Sequence, residues 1–145
     1  MKKPQGKTHR GHKTARRALP SLPRLLALVR AARENAYAPY SRFKVGALAV
    51  AADGRVFPGV NVENLSYGVT ICAERSALVS AVSAGVRKFA CVVVIADTPG
   101  PVTPCGACRQ FIAEFGLDIE VIMANLKGKV QRAKISELLP AAFAF

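Results

Sequence analysis

The spacing of apolar residues in the first half of the chain predicts a helix followed by two paired strands. Apolar residues recur every three or four positions through 22–37, which is typical of a helix with one buried face. Two strand-like runs follow at 43–52 and 55–64, and the Asp53-Gly54 pair between them favours a tight turn. We therefore expect an antiparallel hairpin after the first helix.

In the second half, two continuous apolar runs predict strands that are buried on both faces of a sheet. These runs lie at 89–97 and 119–125, and an amphipathic helical segment precedes each of them, at 72–84 and 105–115. A short edge strand and a short helix complete the chain, at 129–134 and 136–140. Because parallel strands need crossover helices, this order predicts an α/β fold with three α/β/α layers around a mixed sheet of about five strands.

Length and composition predict a single domain with a basic extension at its N-terminus. The chain has 145 residues, of which 51% are hydrophobic and 21% charged, as in compact globular proteins. The net charge of +12 is concentrated in residues 1–24, which carry eight Lys or Arg residues and no acid. We expect a solvated, disordered extension at 1–20 and one folded domain at 21–145. Binding of nucleic acid or another anionic surface by the extension is the alternative.

The apolar segments are too short or too interrupted to cross a membrane. A membrane span needs about 20 consecutive apolar residues, and Arg24 and Arg30 interrupt the apolar stretch that follows the basic extension. That stretch also lacks the cleavage signal of a secreted protein, whereas a transit peptide stays open, although the extension is poor in Ser. We therefore expect a cytoplasmic protein that does not bind a membrane.

Three of the four cysteines predict a zinc site. Cys72 opens one predicted helix, and Cys105 and Cys108 form a C-x-x-C pair at the start of another. A helix start favours thiolates, which are the form of cysteine that binds metal. Three protein ligands leave the fourth tetrahedral position to water, which is typical of catalytic zinc, whereas structural zinc has four protein ligands. The cysteines therefore predict one catalytic Zn²⁺ per chain.

The sequence offers no convincing fourth ligand. Cys91 lies inside an apolar run and is expected to pack in the core, where free cysteine is common. His9 and His12 form an H-x-x-H pair, but they lie in the basic extension and are not expected to bind the metal. A purely structural zinc module would need such a ligand, so we regard it as the weaker interpretation.

Charged residues next to these cysteines indicate how the site works. Glu74 follows Cys72 by two positions, so its carboxylate can reach a metal-activated water without binding the metal, and we expect it to act as general acid and base. Three thiolates give the zinc site a net negative charge. Arg75 and Arg109 are expected to offset this charge by donating hydrogen bonds to thiolate sulfurs.

The combination of Cys-Ala-Glu at 72–74 with Pro-Cys-Gly-Ala-Cys-Arg-Gln at 104–110 resembles the zinc-dependent nucleoside deaminases. Within that group, the all-cysteine ligand set resembles that of the short cytidine deaminases. The resemblance extends from about residue 22 to the end of the chain and leaves the basic extension outside it. It implies the cytidine deaminase-like fold, one zinc ion per chain and Glu74 as the proton carrier.

The resemblance also implies which residues bind a nucleoside. Phe43 has the position of the aromatic residue that packs against the pyrimidine, and the backbone of Ala73 has the position that binds the base carbonyl. Asn61 and Glu63 have the positions that hydrogen-bond the ribose, with Glu63 reading the 3′-hydroxyl. Residues two apart on a strand point to the same side, which agrees with a shared ligand.

Short cytidine deaminases form homotetramers in which neighbouring subunits complete each active site. By the same resemblance, Tyr67 and Phe143 are the residues that one subunit would contribute to the site of the next. We therefore expect a homotetramer with shared active sites and a small nucleoside as its substrate.

The implied reaction is the hydrolytic deamination of cytidine and deoxycytidine to uridine and deoxyuridine, as in pyrimidine salvage. Water attacks C4, and Glu74 protonates N3 and then delivers a proton to the departing ammonia. Two alternatives stay open: another aminated nucleoside or base, and a base within a nucleic acid that the basic extension holds. The Asn-Val-Glu-Asn sequence at 61–64 disfavours the first, and a pocket closed around a 3′-hydroxyl by Glu63 would exclude the second.

Overall fold

The computed structural model describes residues 18–143, in which helices and strands follow the predicted order. The helices are α1 (Leu22–Arg33), α2 (Ala73–Ser83), α3 (Gly106–Ala113) and α4 (Ile135–Leu138), with a 3₁₀ helix at Tyr67–Val69. The strands are β1 (Val45–Ala51), β2 (Val56–Val60), β3 (Phe89–Ala96), β4 (Glu120–Asn125) and β5 (Val130–Lys134). What the sequence predicted for His9, His12 and most of the basic extension lies outside the described residues. The division into an extension and a domain therefore stays a prediction.

One mixed sheet forms the middle of the fold, with the strand order β2-β1-β3-β4-β5. β3 and β4 run parallel, while every other pair of neighbours is antiparallel. α3 connects the two parallel strands and is the crossover helix that such a pair requires. The predicted mixed sheet of five strands is confirmed.

Alternate residues of the central strands pack into two separate cores. Val92 and Val94 of β3 join the core beneath α2 and α3, whereas Val93 and Ile95 join the core beneath α1. This separation follows from the two-residue period of a strand. The result is the predicted α/β/α arrangement. In the part of the chain described here, no helix combines the length and the apolar character that a membrane span needs.

α1 ends at Arg33, before the predicted boundary at residue 37. The Tyr37 amide donates to the Asn61 carbonyl at 3.0 Å, and the Glu63 amide donates to the Tyr37 carbonyl at 2.8 Å. These bonds hold the segment in a bridge beside Val62 and replace the last helical turn. Helical periodicity alone could not reveal them, because their partners are distant in sequence. The bridge brings the segment before β1 next to the chain that follows β2.

α2 packs directly on β2 at Gly59. A Cβ atom at this position would lie 2.2 Å from the Ala77 nitrogen and 2.5 Å from the Ala73 carbonyl oxygen. Since real Cβ atoms do not approach backbone atoms so closely, only glycine permits this contact. The first turn of α2 carries Glu74, so Gly59 helps to set the position of that carboxyl group.

Candidate active site

Three cysteine sulfurs meet where the N-termini of α2 and α3 converge. Cys72 is the N-cap of α2, Cys105 is the N-cap of α3, and Cys108 lies in the first turn of α3. Their Sγ atoms all lie within 4.8 Å of one another, and the Cys72 and Cys105 sulfurs are 3.8 Å apart. Two sulfurs that bind one tetrahedral zinc at about 2.3 Å are separated by about 3.8 Å. The three thiols therefore fit a Zn²⁺ ion.

The metal-binding group contains only these three cysteines within residues 18–143. Cys91 lies in the core beneath α1 and is 7% exposed. Burial raises the pKa of its thiol to about 11, so Cys91 is an uncharged core residue at neutral pH. This confirms the prediction that it packs in the core.

Hydrogen bonds around Cys72 favour its thiolate. The Cys108 thiol donates to the Cys72 sulfur, and Arg75 adds a further bond, so that the pKa of Cys72 falls to about 5. The same sharing of a proton, together with burial, raises the pKa of Cys108. Arg75 Nη2 lies 3.5 Å from Cys72 Sγ and 3.0 Å from the Thr70 carbonyl oxygen. Arg75 is thus in a position to stabilise negative charge on this sulfur.

Arg109 contacts backbone carbonyls instead of sulfurs. Its Nε donates to the Pro104 carbonyl at 2.8 Å, and its Nη1 donates to the Leu138 carbonyl at 2.7 Å. Among the described residues it makes no hydrogen bond to a cysteine, so the structure does not contain the thiolate contact expected of it. Carbonyl oxygens are stronger acceptors than a thiol sulfur, and here two of them hold the guanidinium. Arg109 therefore connects the loop before Cys105 to the end of α4.

Glu74 lies in the first turn of α2, beside the sulfurs. The residue is only 4% exposed, and burial, reinforced by the charge of Cys72, raises the pKa of its carboxyl group. A carboxyl group with a raised pKa is suited both to accept a proton and to return it near neutral pH. The environment of Glu74 therefore matches that of a general acid and base.

A cavity of about 210 Å³ opens beside the cysteines and Glu74. Six predicted site residues line it: Phe43, Asn61, Cys72, Ala73, Glu74 and Cys105. Val45, Thr70, Val94, Val102 and Thr103 also line it, although the sequence predicted no role for them. A larger cavity of about 480 Å³ lies between α1 and β2. Its lining has neither a metal-ligand cluster nor an ionisable side chain, so size does not identify the active site.

Asn61 shapes the wall that carries Phe43. Its Oδ1 accepts a hydrogen bond from the Val45 amide, and its Nδ2 donates to the Phe43 carbonyl, each at 2.8 Å. The Phe43 residue itself is 41% exposed, which leaves much of its ring open to a ligand. Asn61 therefore has a clear structural role, and its contact with ribose stays a prediction.

Glu63 organises the turn before this wall. Its Oε2 accepts from the amides of Tyr40, at 2.9 Å, and Ser41, at 3.2 Å, and its Oε1 accepts from the Ser41 hydroxyl. The hydroxyl bond is the main reason that the pKa of Glu63 lies below its usual range. Glu63 does not line the cavity in the single chain. Its reading of a 3′-hydroxyl likewise stays a prediction.

Tyr67 and Phe143 lie on the surface and do not line the cavity of their own chain. Tyr67 is 69% exposed and Phe143 is 71% exposed. The Tyr67 ring meets the Tyr40 ring edge to face, with 6.1 Å between the ring centres. Gln110 binds the backbone of Phe143. The sequence contained a signal for Gln110, since it ends the Pro-Cys-x-x-Cys-Arg-Gln motif, but it indicated no partner.

Residues 21–124 match the family described as "Cytidine and deoxycytidylate deaminase zinc-binding region". The chain is 52% identical over 121 residues to the cytidine deaminase of Sporosarcina psychrophila, with 83% of this chain and 89% of that protein covered. It is 55% identical over 113 residues to the cytidine deaminase of Halalkalibacterium halodurans, with 77% of this chain and 86% of that protein covered.

Solved structures agree with these matches. The crystal structure of cytidine deaminase from Burkholderia pseudomallei superimposes with a TM-score of 0.84 at 51% sequence identity. The match covers 86% of this chain and 100% of that one. Cytidine deaminase from Mycobacterium leprae superimposes with a TM-score of 0.70 at 39% identity, covering 81% of this chain and 96% of that one.

Proposed function

This chain belongs to the cytidine and deoxycytidylate deaminase family, and we propose that its site removes the 4-amino group of cytidine and deoxycytidine by hydrolysis. The products are uridine or deoxyuridine and ammonia. The chain is a zinc-dependent deaminase of this family. The observation that carries the substrate proposal is that a buried carboxyl group, Glu74, and two of the three cysteines that can hold zinc, Cys72 and Cys105, border one small cavity with an aromatic wall.

The three cysteines would hold the metal, and Arg75 would offset part of their charge. Zinc, when bound, supplies a Lewis acid that makes hydroxide available near neutral pH. The rest of the chemistry needs groups that orient the base and move protons. Cys72, Cys105 and Cys108 approach from two helix N-termini, where the helix dipole favours negative charge.

Glu74 moves the protons of the reaction. Its carboxylate takes a proton from the attacking water and delivers it to N3 as the new C4–O bond forms. It then takes the proton of the new hydroxyl and passes it to the departing amino group, so that ammonia leaves and the 4-carbonyl forms. Burial supports this role because it raises the pKa of the carboxyl group. A carboxyl group with a raised pKa can both accept a proton and release it again.

Phe43 and Ala73 orient the base. The exposed ring of Phe43 would pack on the pyrimidine face, and the amide of Ala73, at the start of α2, would bind the 2-carbonyl oxygen. Helix N-termini carry free amide groups, which suits an oxygen acceptor. Phe43 borders the same cavity as Glu74, so a base held there would present C4 to the reactive end of the site.

Asn61 and Glu63 would recognise the sugar. Three donors reach the Glu63 carboxylate within the described chain. A carboxylate accepts about four hydrogen bonds, so Glu63 retains capacity for a sugar hydroxyl. Recognition of a free 3′-hydroxyl would favour a nucleoside over a polymer, in which that oxygen is esterified.

We also propose a homotetramer in which Tyr67 and Phe143 complete the active sites of neighbouring subunits. Large apolar side chains are exposed around the 3₁₀ helix and the segment before β1: Tyr37, Tyr40, Val62, Leu65, Tyr67, Val69 and Ile71. Extended apolar patches of this kind mark protein interfaces. A reducing cytoplasm is the compartment that we propose, because it keeps the three ligands as free thiols.

The substrate proposal is tested by the loss of ultraviolet absorbance on deamination. Purified protein of measured zinc content would be given cytidine, deoxycytidine, cytidine monophosphate and a short single-stranded oligonucleotide. Turnover of the two nucleosides, with about one zinc per chain, is the expected result. Turnover of the oligonucleotide would instead favour base editing with the basic extension as the nucleic-acid arm. No turnover of any cytosine compound by zinc-loaded protein would overturn the substrate.

A further inference from the structure

The end of α4 and the segment that follows it are each bound to α3. Gln110 holds Phe143 through both ends of its amide: Nε2 donates to the Phe143 carbonyl at 3.0 Å, and Oε1 accepts from the Phe143 amide at 3.1 Å. The preceding residue, Arg109, donates to the Leu138 carbonyl at 2.7 Å. Both side chains directly follow Cys108, so the helix that carries two of the metal-binding cysteines also holds the C-terminal segment.

Between these two points the backbone has an unfavourable conformation. Ala141 has a φ of 57°, in the left-handed region that residues with a Cβ seldom adopt. Conformations of this kind persist where the surrounding structure over-determines them. The bonds to Leu138 and Phe143, on either side of Ala141, provide that constraint. The chain therefore reverses here because of contacts with α3 and against its local preference.

After this reversal a large aromatic side chain lies at the surface. Phe143 is 71% exposed, although burial of such a side chain is strongly favourable. Bonds to both the N–H and the C=O of one residue fix the position and the orientation of its backbone. They consequently restrict the directions that the side chain can take. A fixed, exposed aromatic residue is suited to a pocket on another molecule, because little entropy is lost when it is bound.

We propose that Gln110 is a positioning residue, which sets the direction of the Phe143 ring so that the active site of a neighbouring subunit can receive it. Arg109 supports the same arrangement by holding Leu138. The inference rests on the proposed sharing of active sites. It gives the Arg-Gln pair after the second metal-binding cysteine a role in nucleoside affinity, distinct from any contact with the metal.

The test is a double-mutant cycle on the zinc-loaded protein with cytidine. Gln110→Met keeps the length of the side chain and removes both hydrogen bonds. If Gln110 acts through Phe143, Gln110→Met and Phe143→Ala each raise KM by about tenfold, as expected for loss of one aromatic contact. Values of kcat and zinc content stay within about twofold of the parent protein. The KM of the double variant is expected to be no higher than that of Phe143→Ala alone.

Two further variants sharpen the test. Gln110→Glu keeps the acceptor for the Phe143 amide but turns an unprotonated oxygen toward the Phe143 carbonyl, so its KM is expected to rise as far as that of Gln110→Met. Gln131→Met makes the same change at an exposed position of β5 and should leave KM unchanged.

The possible failures are distinguishable. Phe143→Ala without an effect on KM would contradict the shared active site and this inference with it. If Phe143→Ala raises KM but Gln110→Met does not, the positioning role alone is wrong. The positioning role would also be wrong if Gln110→Met lost its zinc, or if the effects of the two substitutions on KM were independent. In either case Gln110 would not act through Phe143.

Discussion

The side-chain amide of Asn61 holds Phe43 in place, with Nδ2 donating to the Phe43 carbonyl at 2.8 Å. The same amide accepts a hydrogen bond from Val45, at the start of β1. The residue expected to touch ribose thus also builds the wall expected to pack on the base. We therefore expect recognition of the sugar and recognition of the base to be coupled through this buried side chain.

Asn61→Asp separates these two bonds. One carboxylate oxygen of the aspartate can still accept from the Val45 amide. The other oxygen replaces Nδ2 and faces the Phe43 carbonyl without a proton to donate. We expect KM for cytidine to rise by about 10- to 100-fold, the range for a lost buried hydrogen bond with added repulsion, while zinc content is unchanged. Asn64→Asp is the matched control, since among residues 18–143 the exposed Asn64 side chain uses only its oxygen, which accepts from the Ser66 amide. A KM within twofold of the parent value in Asn61→Asp would contradict the coupling.

Gly59→Ala tests the close packing of α2 on β2. The added Cβ would overlap backbone atoms of Ala73 and Ala77, so α2 or β2 must shift. We expect the free energy of unfolding to fall by about 1–3 kcal/mol, as for other overpacked sites, with a loss of activity because Glu74 moves with the helix. Gly100→Ala, where a Cβ meets no atom within 4 Å, is the control in urea unfolding. Equal stability of the two variants would show that the contact is not tight.

Arg75→Met tests whether the guanidinium stabilises the zinc site. The substitution removes the hydrogen bond to the Cys72 sulfur and the positive charge beside it. Residues that support metal ligands in this way typically contribute 10- to 100-fold to metal affinity or activity, and we expect a loss in that range in competition with a chelator. Arg24→Met, on the exposed side of α1, controls for the loss of one charge. Unchanged zinc affinity and activity in Arg75→Met would refute the role.

Glu63 predicts a pH-dependent contribution to stability. Its pKa lies below the ordinary value of 4.5, chiefly because the Ser41 hydroxyl donates to it. The ionised form therefore stabilises the fold above that value, and the contribution is lost as the pH falls through the lowered pKa. It also supports the turn in which Arg42 has a φ of 59°.

The measurement is the free energy of unfolding of the parent protein and Glu63→Gln at about pH 7 and about pH 3. The variant should be less stable at pH 7, and the difference should shrink under acid. Glu114→Gln, which removes an exposed carboxylate, controls for the change in net charge. A difference in the free energy of unfolding that grows as the pH falls would contradict the stabilising role of the ionised Glu63.

Much of the fold was predictable because its patterns are local. The unbroken apolar runs of β3 and β4 and the hairpin turn at Asp53-Gly54 depend on neighbouring residues, and all appear in the structure. The end of α1 was not predictable, since it depends on bonds from Tyr37 to Asn61 and Glu63 across the fold. Helical periodicity continues past Arg33, but tertiary hydrogen bonds outweigh it.

The site was predictable where a motif fixes both residue type and helix position. Cys72, Cys105 and Cys108 converge as the motif indicated. Arg109 shows the limit of such inference, because the sequence contains no information on which acceptor lies within reach. Its two carbonyl partners belong to a loop and to the end of α4. Thr70 and Thr103 border the cavity for the same non-local reason.

The most direct test of the account is the turnover of cytidine by Glu74→Gln, measured with zinc content and with binding of a non-reacting nucleoside. Glutamine keeps the size of the side chain but cannot carry the proton. We expect about one zinc per chain, nucleoside binding close to that of the parent protein, and a fall in kcat of at least about a thousandfold, since proton transfer contributes on the order of 10²–10⁴ and Glu74 acts twice. A variant that keeps its zinc and deaminates cytidine within about tenfold of the parent rate would contradict the central role of Glu74.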